Sequence, residues 1–283
     1  MQQYQETFRR VEKKYILSDW QYHAFLAAIR DIVEMDEYGR TSILNLYFDT
    51  PNFYLIRKSL EKPIYKEKLR LRCYGTPDAG SKAFMEIKKK YKGVVYKRRI
   101  AGSYQAAMQY LCSPYKSQGA SFMGANMPQE HLYGNHFQEI QILGEIDHFM
   151  KRYQNLAPRM AVCYQREAYR GIKDPALRIT FDTDIRWRTE KLDLRCGNEG
   201  WELLKSGDHL MEIKFANAMP LALAEIMSRL HIFTTSYSKY GSAFMEYSKV
   251  IDWHAHCAPG GGPVNVQDGD IQEISSMEPC VVS

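Results

Sequence analysis

In the stretch Lys66-Glu67-Lys68-Leu69-Arg70-Leu71-Arg72-Cys73-Tyr74 a cation recurs at every second position. An extended strand sends alternate side chains to opposite faces, so Lys66, Lys68, Arg70, Arg72 and Tyr74 share one face and Leu69, Leu71 and Cys73 the other. Fixed cations in a row suit a linear polyanion, arginine forks gripping phosphate oxygens and lysines acting as point charges. For one strand alone, a face turned to water explains the row more simply.

Repetition changes that reading. Arg10, Glu12 and Lys14 alternate with Val11 and Tyr15, and Phe84, Glu86, Lys88 and Lys90 alternate with Met85 and Ile87. Lys97 and Arg99 follow in the next strand; Val162, Tyr164 and Arg166 share one side of another. From Leu177 to Arg188, the residues Arg178, Thr180, Asp182, Asp184, Arg186 and Arg188 fall opposite Leu177, Ile179, Phe181 and Ile185. Finally, Glu212 and Lys214 oppose Met211, Ile213 and Phe215. Three acids interrupt these faces. Glu86 reads as an ion-pair partner or a ligand, whereas Glu212, with Glu12 as its companion, suits Mg²⁺ or Mn²⁺, which one or two carboxylates hold together with substrate phosphates. No Ser/His/Asp or Cys/His constellation is apparent, and the eight histidines form no pattern.

Several elements must position these residues. Ser18 with Gln21 forms a capping-box pattern opening a helix, whose stripe of Trp20, Phe25, Ile29 and Val33 predicts an end near Asp36. Strands are expected over residues 7–17, 43–49, 66–74, 83–90, 94–100, 161–169, 177–188 and 210–216, with a short strand at 192–195. Further helices are expected over 53–58, 103–112, 137–153, 220–230 and 240–253, and residues 113–135 read as a long loop or lid. Apolar residues on one face of each strand and cations on the other predict an α+β fold: a closed antiparallel β-barrel with a polar cationic lumen and helices packed outside.

Composition agrees with a globular chain: 45% hydrophobic, 25% charged and a net charge of +5. Twelve Lys/Arg against three acids between Lys66 and Arg99 concentrate that charge locally, and point to an anionic partner. Tyr74, Phe84 and Tyr164 are too few and too separated to stack bases, so nucleic acid is not expected. Six cysteines without metal-ligand spacing suggest reduced thiols in a cytoplasmic protein. The N-terminus has no signal-peptide character, and no apolar run nears the roughly 20 residues that span a bilayer. One domain over 1–254 and a disordered tail over 255–283 are expected.

Eight short motifs then carry a resemblance. Glu12-Lys13-Lys14-Tyr15, Tyr47-Phe48-Asp49-Thr50, Leu69 to Gly75, Met85-Glu86-Ile87-Lys88, Tyr164 to Tyr169, Arg178 to Asp182, Leu210 to Lys214 and Ser236 to Gly241 occur in one order. In that order they resemble the VTC-type polyphosphate polymerase domain of the triphosphate tunnel metalloenzymes, over about residues 6–250. The resemblance implies an ATP:polyphosphate phosphotransferase, dependent on Mn²⁺ or Mg²⁺, that adds the γ-phosphate of ATP to a growing chain. Lys14, Arg70, Arg72, Lys88, Lys97, Arg166 and Arg178 would grip nucleotide and product, with Tyr164, Ser238 and Lys239 assisting and Glu212 holding the metal. Lys68 and Lys214 join the same cationic faces. ATP and inorganic polyphosphate are then the partners, and any membrane protein receiving the product is not visible in the sequence. Arg10 stands where related hydrolases carry the first acid of a Glu-x-Glu-x-Lys pattern, which favours polymerase over tripolyphosphatase. Ser236 occupies a position where eukaryotic polymerase domains carry lysine, and the absence of an SPX domain implies a stand-alone enzyme of the bacterial type. A hydrolase of tripolyphosphate or nucleoside triphosphates and a silent polyphosphate-binding module are the alternatives.

Overall fold

Alternation of apolar and charged residues builds ten strands in the computed structural model, which describes residues 10–112, 136–153 and 155–257. They are β1 (Arg10–Leu17), β2 (Val33–Asp49), β3 (Tyr65–Tyr74), β4 (Lys82–Tyr91), β5 (Val94–Ser103), β6 (Ala157–Gly171), β7 (Arg178–Arg188), β8 (Trp201–Glu202), β9 (His209–Ala216) and β10 (Thr234–Thr235). Among the described residues there are six helices: α1 (Asp19–Ile29), α2 (Tyr54–Leu60), α3 (Tyr104–Cys112), α4 (His136–Arg152), α5 (Leu221–Arg229) and α6 (Lys239–Cys257). All strand pairs are antiparallel. The order is β10-β1-β9-β7-β6-β2-β3-β4-β5, with β8 on the side of β7.

This path is open, contrary to the closed barrel expected. Among the described residues β5 pairs only with β4, and β10 occupies the outer side of β1, so no ladder joins the two ends of the sheet. Curvature nevertheless brings the ends near one another. A cavity of about 500 Å³ is lined by Lys90 of β4 together with Glu12, Lys13 and Lys14 of β1 and the segment Thr234–Tyr237.

On the convex side the expected helices do cover the apolar faces. Leu69, Leu71, Cys73, Met85 and Ile87 pack with Ala107 and Leu111 of α3 and with Leu143, Ile146 and Phe149 of α4. Tyr15, Leu17, Met211, Ile213, Ile179 and Phe181 pack with Phe25 and Ile29 of α1 and Leu223 of α5. Ser18 caps α1 as its sequence predicts: its Oγ accepts from the Gln21 amide and its own amide donates to Gln21 Oε1.

Helix α6 departs from the expectation of helices packed only outside. Tyr240 and Ala243 cluster with Ile43, Tyr47, Met160, Val162 and Tyr164, on the face of β2 and β6 opposite to the α3–α4 core. The concave face is therefore cationic along β3, β4, β1 and β9, and apolar where α6 rests on β2 and β6.

Three local readings also change. Helix α1 ends at Ile29, and residues 33–39 belong to β2, because the ladder to β6 is interrupted between Met35 and Arg40 rather than absent. Residues 192–195 form no strand: Leu194–Cys196 is a 3-10 turn, capped by Asp193 through the Arg195 amide. Along β7 the alternation slips at Asp184, which has φ +47° and lies opposite a register shift in β6. A bulge of this kind exchanges the two faces beyond it. Ile185 and Trp187 thus join the α6 cluster, while buried Arg188 turns to the carbonyls of Lys191, Asp193, Gly197 and Glu199. Arg186 and Arg188 do not share the face of Asp182, as strict alternation had predicted.

The predicted loop at 113–135 and residues 258–283 of the tail predicted over 255–283 lie outside the described residues, while residues 255–257 continue α6. Cys73, Cys112, Cys163 and Cys196 are free thiols, and no described helix is long and apolar enough to cross a membrane.

Candidate functional site

Residues from β3, β4 and β5 form the first group of charges on the concave face. Register sets Arg70 opposite Glu86 and Lys68 opposite Lys88, with Lys97 opposite Lys88 on the other side. Arg70 Nε donates to Glu86 Oε2 at 2.7 Å, Lys97 Nζ lies 2.7 Å from Oε1, and Arg72 Nε is 3.9 Å from Oε2. Glu86 is 1% exposed. Burial raises its pKa, but Arg70, Arg72 and Lys97 outweigh that and hold it at about 2. Between the two sequence readings of Glu86, this geometry makes it an ion-pair anchor. Arg70 Nη1 also donates to the Tyr47 hydroxyl at 3.2 Å, and Arg72 Nε donates to Asn45 Oδ1 at 2.9 Å.

A second group gathers around Asp182, a residue to which the sequence assigned no role. Arg166 meets it with two donors, Nε at 2.6 Å and Nη2 at 2.7 Å, and Lys239 at the start of α6 donates to the same carboxylate. Both cations also stand over the Tyr164 ring, Lys239 at 4.4 Å and Arg166 at 5.3 Å from its centroid. Burial opposes ionisation of the Tyr164 phenol, yet Arg166, Arg72 and Lys239 bring its pKa down to about 8.

The third group lies on β1 and β9, where Glu12 pairs with Lys214 and Lys14 with Glu212. Lys14 Nζ is 3.6 Å from Glu12 and 3.7 Å from Glu212; Lys214 forms ion pairs with both acids. Burial would raise the Glu212 carboxyl, but Lys214, Lys14 and Arg166 hold it at about 2. Thr180 sits in register beside Glu212, and its buried Oγ1 has no hydrogen-bond partner among the described residues. No described trio of His, Cys, Asp and Glu could hold a metal alone. Two acids near an orphaned hydroxyl fit a hard cation that takes its other ligands from water and phosphate.

Lys68 and Lys88 differ from the rest. Neither has a carboxylate within ion-pair distance among the described residues. Lys68 is lowered to about 7 by burial and by the neighbouring charges of Lys66, Lys88, Lys14 and Arg70. Lys88 is likewise lowered by burial; Glu12 pulls it back up and Lys14 pushes it down, although both stand on β1. Charges from opposite parts of the sheet thus face each other across one trough.

Two predicted site residues sit apart from these groups. Arg178 is at the rim, half-exposed and 3.9 Å from Asp36. Ser238, immediately before α6, accepts from the Gly241 amide in its first turn. The sequence alone assigned no role to Asp182, Asn45, Tyr47 or Tyr240, although Asp182, Tyr47 and Tyr240 lie within the motifs that carry the resemblance. Asp182 had a signal, a short acid on a strand face otherwise given to cations; Asn45 and Tyr47 on the cation-free end of β2 and Tyr240 on α6 had none.

Residues 9–246, from the start of the sheet well into α6, match the VTC domain family. The chain belongs to that family. Among solved structures, the VTC domain described here is similar to a candidate adenylate cyclase from Vibrio parahaemolyticus, with 14% identity, a TM-score of 0.41, and coverage of 88% of this chain and 99% of that one. It is similar also to a Hippeastrum protein described as an adenylyl cyclase with a dominant triphosphatase activity, with 15% identity, a TM-score of 0.46 and coverage of 84% and 96%. The Schizosaccharomyces pombe Mediator head module matches at 6% identity and a TM-score of 0.36, over 78% of this chain and 90% of the other. No curated protein matches this chain.

Proposed function

We propose that this VTC domain is a polyphosphate polymerase that transfers the γ-phosphoryl group of ATP to a polyphosphate chain and releases ADP. The observation that carries the reading is the trough in which Glu86, Asp182 and Glu212 are paired with cations while Lys68 and Lys88 have no carboxylate within ion-pair distance among the described residues. Uncompensated cations there are costly to bury, and a chain of phosphates compensates them. Phosphoryl transfer needs positioning and charge stabilisation rather than a protein nucleophile, which agrees with the residues present.

In this reading Arg70, Arg72, Lys88 and Lys97 hold one stretch of phosphates, and Arg166, Lys239, Lys14 and Lys214 hold another. Lys68 and Tyr164 line the passage between them, and Arg178 meets the anion at the rim. Glu212 and Glu12 would hold Mg²⁺ or Mn²⁺, releasing Lys14 and Lys214 to the substrate. When bound, the ion supplies charge neutralisation across neighbouring phosphate oxygens. The attacking group is a terminal oxygen of the acceptor chain, and Arg166, fixed by two bonds to Asp182, stabilises charge on the transferred group.

A second reading, hydrolysis of tripolyphosphate or of a nucleoside triphosphate, is favoured by the seat of α6, which fills part of the concave face. Incubation with ATP and Mn²⁺ separates the two. The polymerase yields ADP and a ladder of lengthening phosphate chains on a gel; orthophosphate as the only phosphate product assigns the hydrolase.

A further inference from the structure

Asp49 ends β2 inside the protein, with no exposure to solvent. Its Oδ1 accepts from the amides of Thr50 at 2.8 Å and Leu55 at 2.9 Å. Its Oδ2 accepts from the Ile56 amide at 3.0 Å and from the Tyr240 hydroxyl at 2.8 Å. Two of these bonds cap the first turn of α2 and one holds the turn at Thr50, which are structural tasks. The fourth reaches α6 and has another consequence.

The Tyr240 ring lies flat on Tyr47, with centroids 4.1 Å apart and an interplanar angle of 8°. Each ring carries one cation of the trough. Lys68 Nζ stands 5.5 Å from the Tyr240 centroid, and Arg70 is 6.0 Å from the Tyr47 centroid while donating to its hydroxyl. Tyr240 is thus the first solid support beneath Lys68, and Tyr47 fixes the fork of Arg70 from the side opposite Glu86. A stacked pair has a defined height but is free to slide in its plane unless one ring is pinned. The pin is the bond to Asp49.

We infer that Asp49 is a positioning residue for the phosphate site: through the Tyr240 hydroxyl it fixes the stacked tyrosines that seat Lys68 and Arg70. This rests on the phosphate reading of the trough. Cations held in place before the anion arrives do not lose freedom on binding, so the device adds affinity without touching the ligand.

Asp49→Asn would disturb the α2 cap as well, so Tyr240→Phe is the decisive variant: it keeps the ring and the cap and removes only the pin. Two measurements are made on the full chain. Tripolyphosphate binding is followed by calorimetry, for the wild type, Tyr240→Phe, Arg70→Lys and the double variant. Acylation of Lys68 in the ligand-free protein is followed by mass spectrometry, with exposed Lys173 as the internal standard. Loss of a bond to a buried carboxylate is expected to weaken tripolyphosphate about tenfold, and the loss should shrink to less than about twofold in the Arg70→Lys background. The Lys68 acylation rate should change at least about threefold relative to Lys173 as the lysine loses its support. Unchanged Lys68 acylation, or a binding loss fully additive with Arg70→Lys, overturns the inference. If the wild type binds no tripolyphosphate, the phosphate reading falls, and Lys68 acylation still decides whether Asp49 positions the cation.

Discussion

Glu86 and Arg70 divide the work of the site between stability and binding. Glu86 is fully enclosed, so removing Arg70 leaves a buried carboxylate with Lys97 and the more distant Arg72 as its remaining compensation. Breaking a buried pair from one side is costly, and Arg70→Ala should lower stability by about 2–4 kcal/mol while abolishing phosphotransfer. Replacing both partners, Arg70→Met with Glu86→Leu, should recover most of the stability and none of the activity. Arg72 presents a different case, since its close hydrogen-bond partner Asn45 is neutral and Glu86 stands 3.9 Å away. Arg72→Ala should cut activity at least about 100-fold and stability by only about 1 kcal/mol. Chemical denaturation alongside product gels measures both quantities for each variant. The carboxyls also set an acid limit. Glu86 and Glu212 have folded values of about 2, below the ordinary 4.5, so their stabilising contribution is complete above about pH 4.5 and is lost as pH falls towards 2. Denaturation midpoints should therefore drop steeply between pH 5 and pH 2, and Glu86→Gln should flatten that drop.

At the scale of elements, Glu67 decides how α4 is held. It lies on the convex face of β3, 4% exposed, and accepts from Tyr65, Tyr153 and Arg152. Glu67→Gln offers a weaker acceptor to three donors and should cost about 1–3 kcal/mol. Because the loss is confined to one contact, hydrogen exchange should quicken in α4 while β1 and β9 stay protected. Face assignments of this kind were legible wherever a strand alternates without interruption. The rows Lys66–Tyr74 and Leu210–Ala216 show their faces directly. They were not legible where the backbone inserts residues, as at Asp184 and between Met35 and Arg40, because a bulge leaves no compositional mark on the flanking alternation. The seat of α6 was hidden for another reason. Tyr240 is an ordinary apolar helix residue in sequence, and its partner Asp49 is 191 positions away. Cation types at the site could be read; which of them are neutralised depends on pairings such as Lys239 with Asp182, 57 positions apart.

For the whole molecule, the trough is a store of unfavourable charge that an anion relieves. Lys68 shows the effect most clearly, lying at about 7 against an ordinary 10.5 because burial and four neighbouring cations disfavour its ammonium. The unfolded chain binds that proton more tightly, so between pH 7 and 10.5 the Lys68 contribution makes the empty protein more stable as pH rises. A bound phosphate chain reverses the balance by favouring the ammonium. Binding should accordingly take up protons near pH 8, seen as a dependence of calorimetric heat on the ionisation enthalpy of the buffer. Affinity should fall as pH rises above 7, and Lys68→Met should remove most of that uptake. Tripolyphosphate at 100 times its Kd should stabilise the fold by about 2.7 kcal/mol. For a domain of this size each kcal/mol corresponds to about 2–4 °C, so the melting temperature should rise by roughly 5–10 °C. Added sodium chloride should reduce the shift, since the counter-charges it supplies are those the ligand would bring. A melting temperature that rises equally with sulfate at the same ionic strength would show a general anion effect; a rise specific to linked phosphates requires charges spaced along the trough from Arg72 through Lys68 and Lys88 to Lys14.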